Sequence, residues 1–283
     1  MKADSYKRLL YWIKERELIR RKKEVGQPPP WTTDPILAAY RFCNVRREDD
    51  RVTIWIRENI REPFADHPQL WFMLCIARQI NLPATLEALI KFGGWPDTRK
   101  WNAPRARQIM QKMQADGKQV YTGAYMVRGP TEAGMSKPEW TIDHVMLPLW
   151  ERHNEAEDFV TLEQMHGWLI NFNGWGPFMA YQAVVDMRFT AILDTATDRG
   201  TWAAAGPGTL RGLNRLQGRE VKQPLSQEQA LEELRALRAR LLKDCPTPMD
   251  FSDVPNICCE FDKHERVRLG EGRPRSLYKP QGS

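Results

Sequence analysis

The chain has 283 residues, 42% of them hydrophobic and 28% charged, with a formal net charge of +6. That is enough apolar material for a sizeable buried core, and the mild basic excess permits nucleic acid as a partner. No apolar run reaches membrane-spanning length and no signal peptide is recognisable, so a cytoplasmic protein without a membrane partner is expected. Cys43, Cys75, Cys245, Cys258 and Cys259 are odd in number and form no CxxC pair, and no HExxH occurs among the histidines. A reduced setting with neither metal nor cofactor is the expectation.

From Asp4 to about Glu24 the pattern is helical, with Tyr6, Leu9, Leu10 and Ile13 on one face. The basic end, Arg20-Arg21-Lys22-Lys23, suits a helix C-terminus and is either a solvated face or a phosphate contact. Pro28-Pro29-Pro30 breaks the chain, so residues 1–30 read as a basic helix with a proline-rich link and 31–283 as a single helical domain. Residues 47–62 read as a helix carrying Val52, Trp55, Ile56 and Ile60 on one side. Segments 68–80 and 83–92 are apolar enough to be buried helices, and a more polar helix spans about 102–115. The stretch QVYTGAYMV, 119–127, reads as a short β-hairpin around Thr122-Gly123.

Helices follow at about 139–154, 161–170 and, with Pro177 at its start, 177–189. Ser226 and Gln229 have capping-box spacing ahead of Leu231, Leu234, Leu237 and Leu241. Residues 270–283 read as an irregular tail. The fold class expected is mostly α, with at most one short β-hairpin. Eleven tryptophans are many for such a chain, and several are candidate stacking surfaces.

Three stretches could carry chemistry. In FCNVRREDDRV, 42–52, a helix would place Arg47, Asp50 and Arg51 on one face. That is either a surface ion-pair ladder or an arginine pair, oriented by Asp50, that grips a phosphate while Asn44 reads a base edge. In the second stretch, Gly174-Trp175-Gly176-Pro177 turns into a helix and ILDTATD follows, with Asp194 and Asp198. A carboxylate about twenty residues beyond a Gly-x-Gly hairpin is the layout of helix-hairpin-helix DNA glycosylases, in which hairpin amides hold a DNA phosphate and the acid faces a flipped nucleotide. Asp186, within the apolar helix, reads as a satisfied buried acid. In the third, Gly206-Pro207-Gly208 opens a helix with Arg211 and Arg215 in its first turns, either a second phosphate nest or a plain helix-joining turn.

Taken together these stretches resemble a known family. Phe42-Cys43-Asn44-Val45, Arg47-Glu48 and Asp50-Arg51 are similar to the FTN-V-x-R-E-x-D-[RK] signature of the phage α-glutamyl/putrescinyl-thymine pyrophosphorylases, also called amino acid:DNA transferases. The helical domain of 5-hydroxymethyluracil DNA kinases is a relative of that group. GWGPFMAYQAVVDMRF, AGPGTLRGLNRL and CEFDKHERVRLGEGRPR match in the same order, so the resemblance spans about 37 to 280. Cys43 stands where threonine is usual and His264 where tyrosine is expected, which argues against Cys43 as an essential nucleophile. No GxxxxGK[ST] occurs, which argues against kinase activity in this sequence.

The resemblance implies a helix-hairpin-helix, glycosylase-like fold and an enzyme that edits phage DNA inside the host cell. The DNA partner is double-stranded and carries phosphorylated 5-hydroxymethyluracil. A free amino acid, with glycine as the guess, replaces the phosphate or pyrophosphate, and the phage DNA kinase is a candidate partner. The site residues it implies are Asn44, Arg47, Asp50 and Arg51 with Asp194 or Asp198 as the base. Gly174, Trp175, Gly176, Gly206, Gly208, Arg211 and Lys263 are implied for the DNA backbone. A true glycosylase and a non-catalytic DNA-binding module are the alternatives.

Overall fold

The computed structural model describes residues 1–123, 129–130, 134–156, 159–274 and 277–278. Its helices in chain order are α1 (Ala3–Glu24), α2 (Pro35–Ala39), α3 (Arg51–Ile56), α4 (Leu70–Ile80), α5 (Pro83–Lys91), α6 (Ala103–Ala115), α7 (Lys137–Glu139), α8 (Leu147–Glu151), α9 (Leu162–Leu169), α10 (Pro177–Met187), α11 (Pro207–Gln217), α12 (Gln227–Asp244) and α13 (Asp253–Arg268). Single turns of 3-10 helix lie at Arg47–Asp49 and His153–Glu155, and π-helical turns at Arg57–Arg61 and Trp140–Met146. Among the described residues there is no strand, and Tyr40 pairs with Leu277 in an isolated antiparallel bridge. The hairpin expected at 119–127 is not formed over 119–123, which are irregular; 124–127 lie outside the described residues.

The chain divides into two compact units, Met1–Asp50 with Gly200–Ser283, and Arg51–Arg199. No shift in composition marks either boundary. In the first unit α1 buries Tyr6, Leu9, Trp12 and Ile13, with Arg16 and Glu17 also out of solvent. Its basic end is tied internally: Arg20 and Arg21 pair with Glu17, and Lys22 donates to the Trp31 carbonyl. α12 starts on the expected capping box, with Ser226 and Gln229 each accepting the other's backbone N–H at 3.1 Å. It buries Ala230, Leu234, Leu237 and Leu241; the expected core position Leu231 is only half-buried.

α11 lies along α13, and two glycines make that approach possible. A Cβ at Gly208 would collide with the Cys259 thiol, and one at Gly212 with the Cys258 carbonyl. Small residues four apart leave a groove on one helix into which the other settles.

In the second unit every residue of α4 is buried, as are Met179 to Met187 of the facing α10. Between them Arg78 forks onto Asp186 at 2.5 and 2.7 Å, with Thr53 and Asn81 taking further guanidinium N–H groups. Asp186 is thus a satisfied buried acid. Trp71, Phe72, Trp101 and Trp150 meet edge-on or tilted around the same core. Seven of the eleven tryptophans are buried and none is fully exposed. The expected stacking surfaces are therefore largely core, where an indole removes more apolar area from water than any other side chain can.

Candidate functional site

The helix expected over 47–62 does not begin within the signature segment 42–50. Arg47–Asp49 is one 3-10 turn, Asp50 is extended at φ −77°, ψ 132°, and α3 starts only at Arg51. Arg47, Asp50 and Arg51 therefore do not share a helical face. The loop's main chain is instead held by side chains of the first unit. Glu260 accepts the Cys43 N–H at 2.9 Å, Asp50 accepts the Asn44 N–H at 2.9 Å, and Asp253 accepts the Arg47 N–H at 2.8 Å. Arg16 of α1 donates to the carbonyls of Phe42 and Cys43 and to Asn44 Oδ1, and Asn256 donates to the Asn44 carbonyl. Asn44 Nδ2 donates to the Asp49 carbonyl at 2.7 Å, so both ends of the amide expected to read a base edge are engaged within the protein.

The electrostatics follow from taking these groups out of water. Burial pushes Asp50 up to about 6 against the pull of the Asn44 N–H and the Arg47 charge. Burial likewise pushes Asp253 up to about 6, opposed by the amides of Arg47 and Asp250. Carboxyls in that range exchange protons close to neutral pH. Burial pulls Arg16 below its ordinary value, while Glu260 and Asp50 favour its charge. Cys43 is raised well above the usual thiol range by burial and then by Glu260 and Asp50. The thiol stays protonated, consistent with its reading as no nucleophile.

Lys263 of α13 joins this network. Its ammonium is 2.7 Å from Glu260 and 4.8 Å from the Phe42 ring centroid. Burial works against its charge, but the Glu260 carboxylate leaves its pKa raised. His264 next to it stands 3.2 Å from Asp34, whose other oxygen caps α2 through the Ile36 and Leu37 amides. A hollow of about 350 Å³ in this unit is lined by Arg8, Tyr11, Asp34 and His264 among others and holds none of the signature residues.

The start of α11 reaches the same part of α13 through Gly208 and Cys259. Arg211 and Arg215 both donate to Asp262 at 2.8 Å, and Arg215 also pairs with Glu271. The glycine turn is pinned by Gln227, whose amide bonds both the N–H and the carbonyl of Ala205. Gly206 has open space where a Cβ would be and no side chain caps α11. Asn44, Arg47, Asp50, Lys263, Gly206, Gly208 and Arg211 thus belong to one unit.

The other expected site residues belong to the second unit. Arg51 is exposed at the start of α3. Gly174 needs its left-handed φ of +77°, and a Cβ there would collide with the Val145 side chain and press on Trp140. Its carbonyl accepts from Gln79 at 3.1 Å. Trp175 is 1% exposed, so its ring belongs to the core. Gly176 has open space around it and precedes α10, which begins without a side-chain cap. Asp198 accepts the Leu162 and Glu163 amides at 2.8 and 3.0 Å, tying the start of α9. Asp194 is exposed, and its carbonyl accepts from Arg199 at 2.9 Å.

Sequence reasoning missed Arg16, Asp253, Asn256 and Glu260. A signal existed for two of them. Ile257, Glu260, Phe261 and His264 fall at i, i+3, i+4 and i+7, and Leu9, Ile13 and Arg16 at i, i+4 and i+7, so Glu260 and Arg16 sit in register with apolar stripes. A charge on such a stripe must find partners inside the fold. Among the described residues there is no cluster of three or more metal-ligating side chains and no helix long and apolar enough to cross a membrane.

Over residues 3–273 the sequence matches the family described as "5-hmdU DNA kinase, helical domain". A 5-hmdU DNA kinase of Bacillus phage SP10 is 25% identical over 226 residues, which make up 72% of this chain and 35% of that protein. The chain thus spans about a third of the length of this relative. No solved structure matches. This mostly helical chain belongs to the family of the 5-hmdU DNA kinase helical domain.

Proposed function

We propose that this chain is an amino acid:DNA transferase that acts on phosphorylated 5-hydroxymethyluracil in phage DNA. The observation that carries this reading is the 42–50 loop. It has almost no regular structure, yet Arg16, Asp253 and Glu260 are buried to hold it. Burying that many charges costs more than a simple connection needs, and carboxyls displaced toward neutrality are a feature of functional sites. The name of the SP10 relative supports DNA containing 5-hydroxymethyluracil as the substrate class. The absence of a phosphate-binding GxxxxGK[ST] from this sequence favours a step other than phosphorylation.

In the proposed step the amino acid's nitrogen, with glycine as the proposed donor, forms a bond to the exocyclic carbon. The carbon–oxygen bond to phosphate or pyrophosphate breaks, the electron pair leaves with the phosphate, and the ammonium proton passes to a carboxylate. Arg47 and Arg51 are proposed to hold the departing anion. Asp194 is the preferred base, because both oxygens of Asp198 already accept helix amides. A glycosylase-like helix-hairpin-helix arrangement around α9 and α10 is part of the same proposal. The uncapped starts of α10 and α11 and the signature-loop cations are proposed to meet the DNA backbone.

The test uses duplex DNA containing 5-phosphomethyluracil, mixed with the protein and a pool of amino acids, then digested to nucleosides and weighed. An amino-acyl nucleoside is the expected product. Release of free base would assign a glycosylase instead, and unchanged substrate bound in a salt-sensitive complex would assign a DNA-binding module.

A further inference from the structure

We propose that Asp253 is a positioning residue for Arg47, and that together with Glu260 and Arg16 it forms a clamp that gives the 42–50 loop its working shape. This rests on the proposed function, in which Arg47 holds the departing phosphate. Nothing in the signature itself contains Asp253, which lies at the first turn of α13.

The geometry is specific to the main chain. One Asp253 oxygen accepts the Arg47 N–H at 2.8 Å and the other accepts the Asp250 N–H at 2.8 Å. Asp250 in turn accepts the Ser252 N–H and hydroxyl, each at 2.8 Å, so the turn presenting Asp253 is itself fixed. Three residues back along the loop the Asn256 amide takes the Asn44 carbonyl at 3.3 Å, and one further turn of α13 brings Glu260 to the Cys43 N–H. Successive turns of one helix thus hold successive points of the loop, while Arg16 holds its carbonyls from α1. A guanidinium swings on four rotatable bonds from its Cα. Fixing the peptide at that Cα sets the cone it can sweep, and small misplacements of a charge-stabilising group lower turnover steeply. Asp253 is 4% exposed, and burial displaces its carboxyl toward 6. An aliphatic residue would spare that desolvation but would leave two amides without an acceptor.

The experiment compares Asp253→Ala, Asp253→Asn and Arg47→Lys in the transfer assay, with kcat and KM for DNA measured separately and amide exchange followed over residues 42–50. Asp253→Ala is expected to lower kcat at least tenfold with KM within threefold of the parent, and to speed exchange in that segment. Asp253→Asn keeps one acceptor oxygen and is expected to recover part of the lost kcat. Circular dichroism and a melting curve on both variants identify simple unfolding, and Asp253→Asn, which removes a buried charge, keeps the proposal testable if the alanine variant fails to fold. If kcat stays within twofold in both Asp253 variants while Arg47→Lys is impaired, the clamp is wrong and the transfer reading stands. If Arg47→Lys is also unimpaired, the role of Arg47 falls, and the clamp's purpose with it.

Discussion

Asp186 in the second unit and Asp253 in the first are both out of solvent, at 0% and 4% exposure, yet they are answered by different groups. Asp186 meets a guanidinium in a two-pronged fork between packed helices. Asp253 meets two backbone N–H groups and, among the described residues, no cation within ion-pair distance. The first arrangement cancels charge against charge and serves the packing of α4 on α10. The second leaves a carboxyl pushed toward neutral pH in exchange for fixing a loop. Where a buried acid spends its hydrogen bonds therefore separates an acid that joins helices from one that shapes a site.

The largest effect should come from breaking the fork. Arg78→Ala leaves Asp186 buried and without its guanidinium, and should lower unfolding stability by about 3–5 kcal/mol at pH 7. A loss below about 1 kcal/mol in urea unfolding would show that the pair is not what holds α4 to α10. Next in size is Asp198→Ala. Removing the acceptor of two α9 amides should cost about 1 kcal/mol, typical of a lost helix cap, with little change in DNA binding by titration.

Asp50→Asn should move stability the other way, with a gain that builds between about pH 4 and 6 and is complete above 6. Its folded carboxyl lies at about 6, above the ordinary value, so protonation favours the folded form. That contribution is fully present below about pH 4 and is lost as pH rises through 6. Asparagine keeps an oxygen for the Asn44 N–H without the charge. Melting temperature should therefore rise by about 2–4 °C at pH 7.5 and match the parent at pH 4. An equal shift at both pH values would remove the charge from the explanation. The smallest stability effect belongs to the exposed Asp194. Asp194→Asn should leave unfolding within about 0.5 kcal/mol of the parent while abolishing transfer at neutral pH. Raising the pH should restore part of the rate, since more of the amino acid is then free amine.

The helices were legible where their signals are local. The apolar runs of α4 and α10 and the capping box of α12 identify themselves within a few residues. The 42–50 loop was not, because Arg-Arg-Glu-Asp-Asp-Arg suits a helix and the groups that hold it otherwise, Asp253 and Glu260, lie 206 and 217 residues away. The glycines show the same divide. Gly174 and Gly208 both read as openings toward a phosphate, but Val145 and Cys259 fill the space each leaves, and nothing near either glycine in sequence says so. Asp194 and Asp198 have equivalent spacing from the hairpin, and only the amides of Leu162 and Glu163 tell them apart.

The order in which the chain is made bears on the signature loop. The first unit is built from two separated stretches, Met1–Asp50 and Gly200–Ser283, with Arg51–Arg199 between them in sequence. Arg8 waits for Glu265, 257 positions later, and the Arg47 amide waits for Asp253. During synthesis α4 and α10 can therefore meet before α13 exists, whereas the loop stays unshaped until Asp253 and Glu260 have emerged. A nascent chain stopped short of Asp253 can hold the second unit's core and still lack a formed 42–50 loop. Closing a loop of such length is slow as well as late.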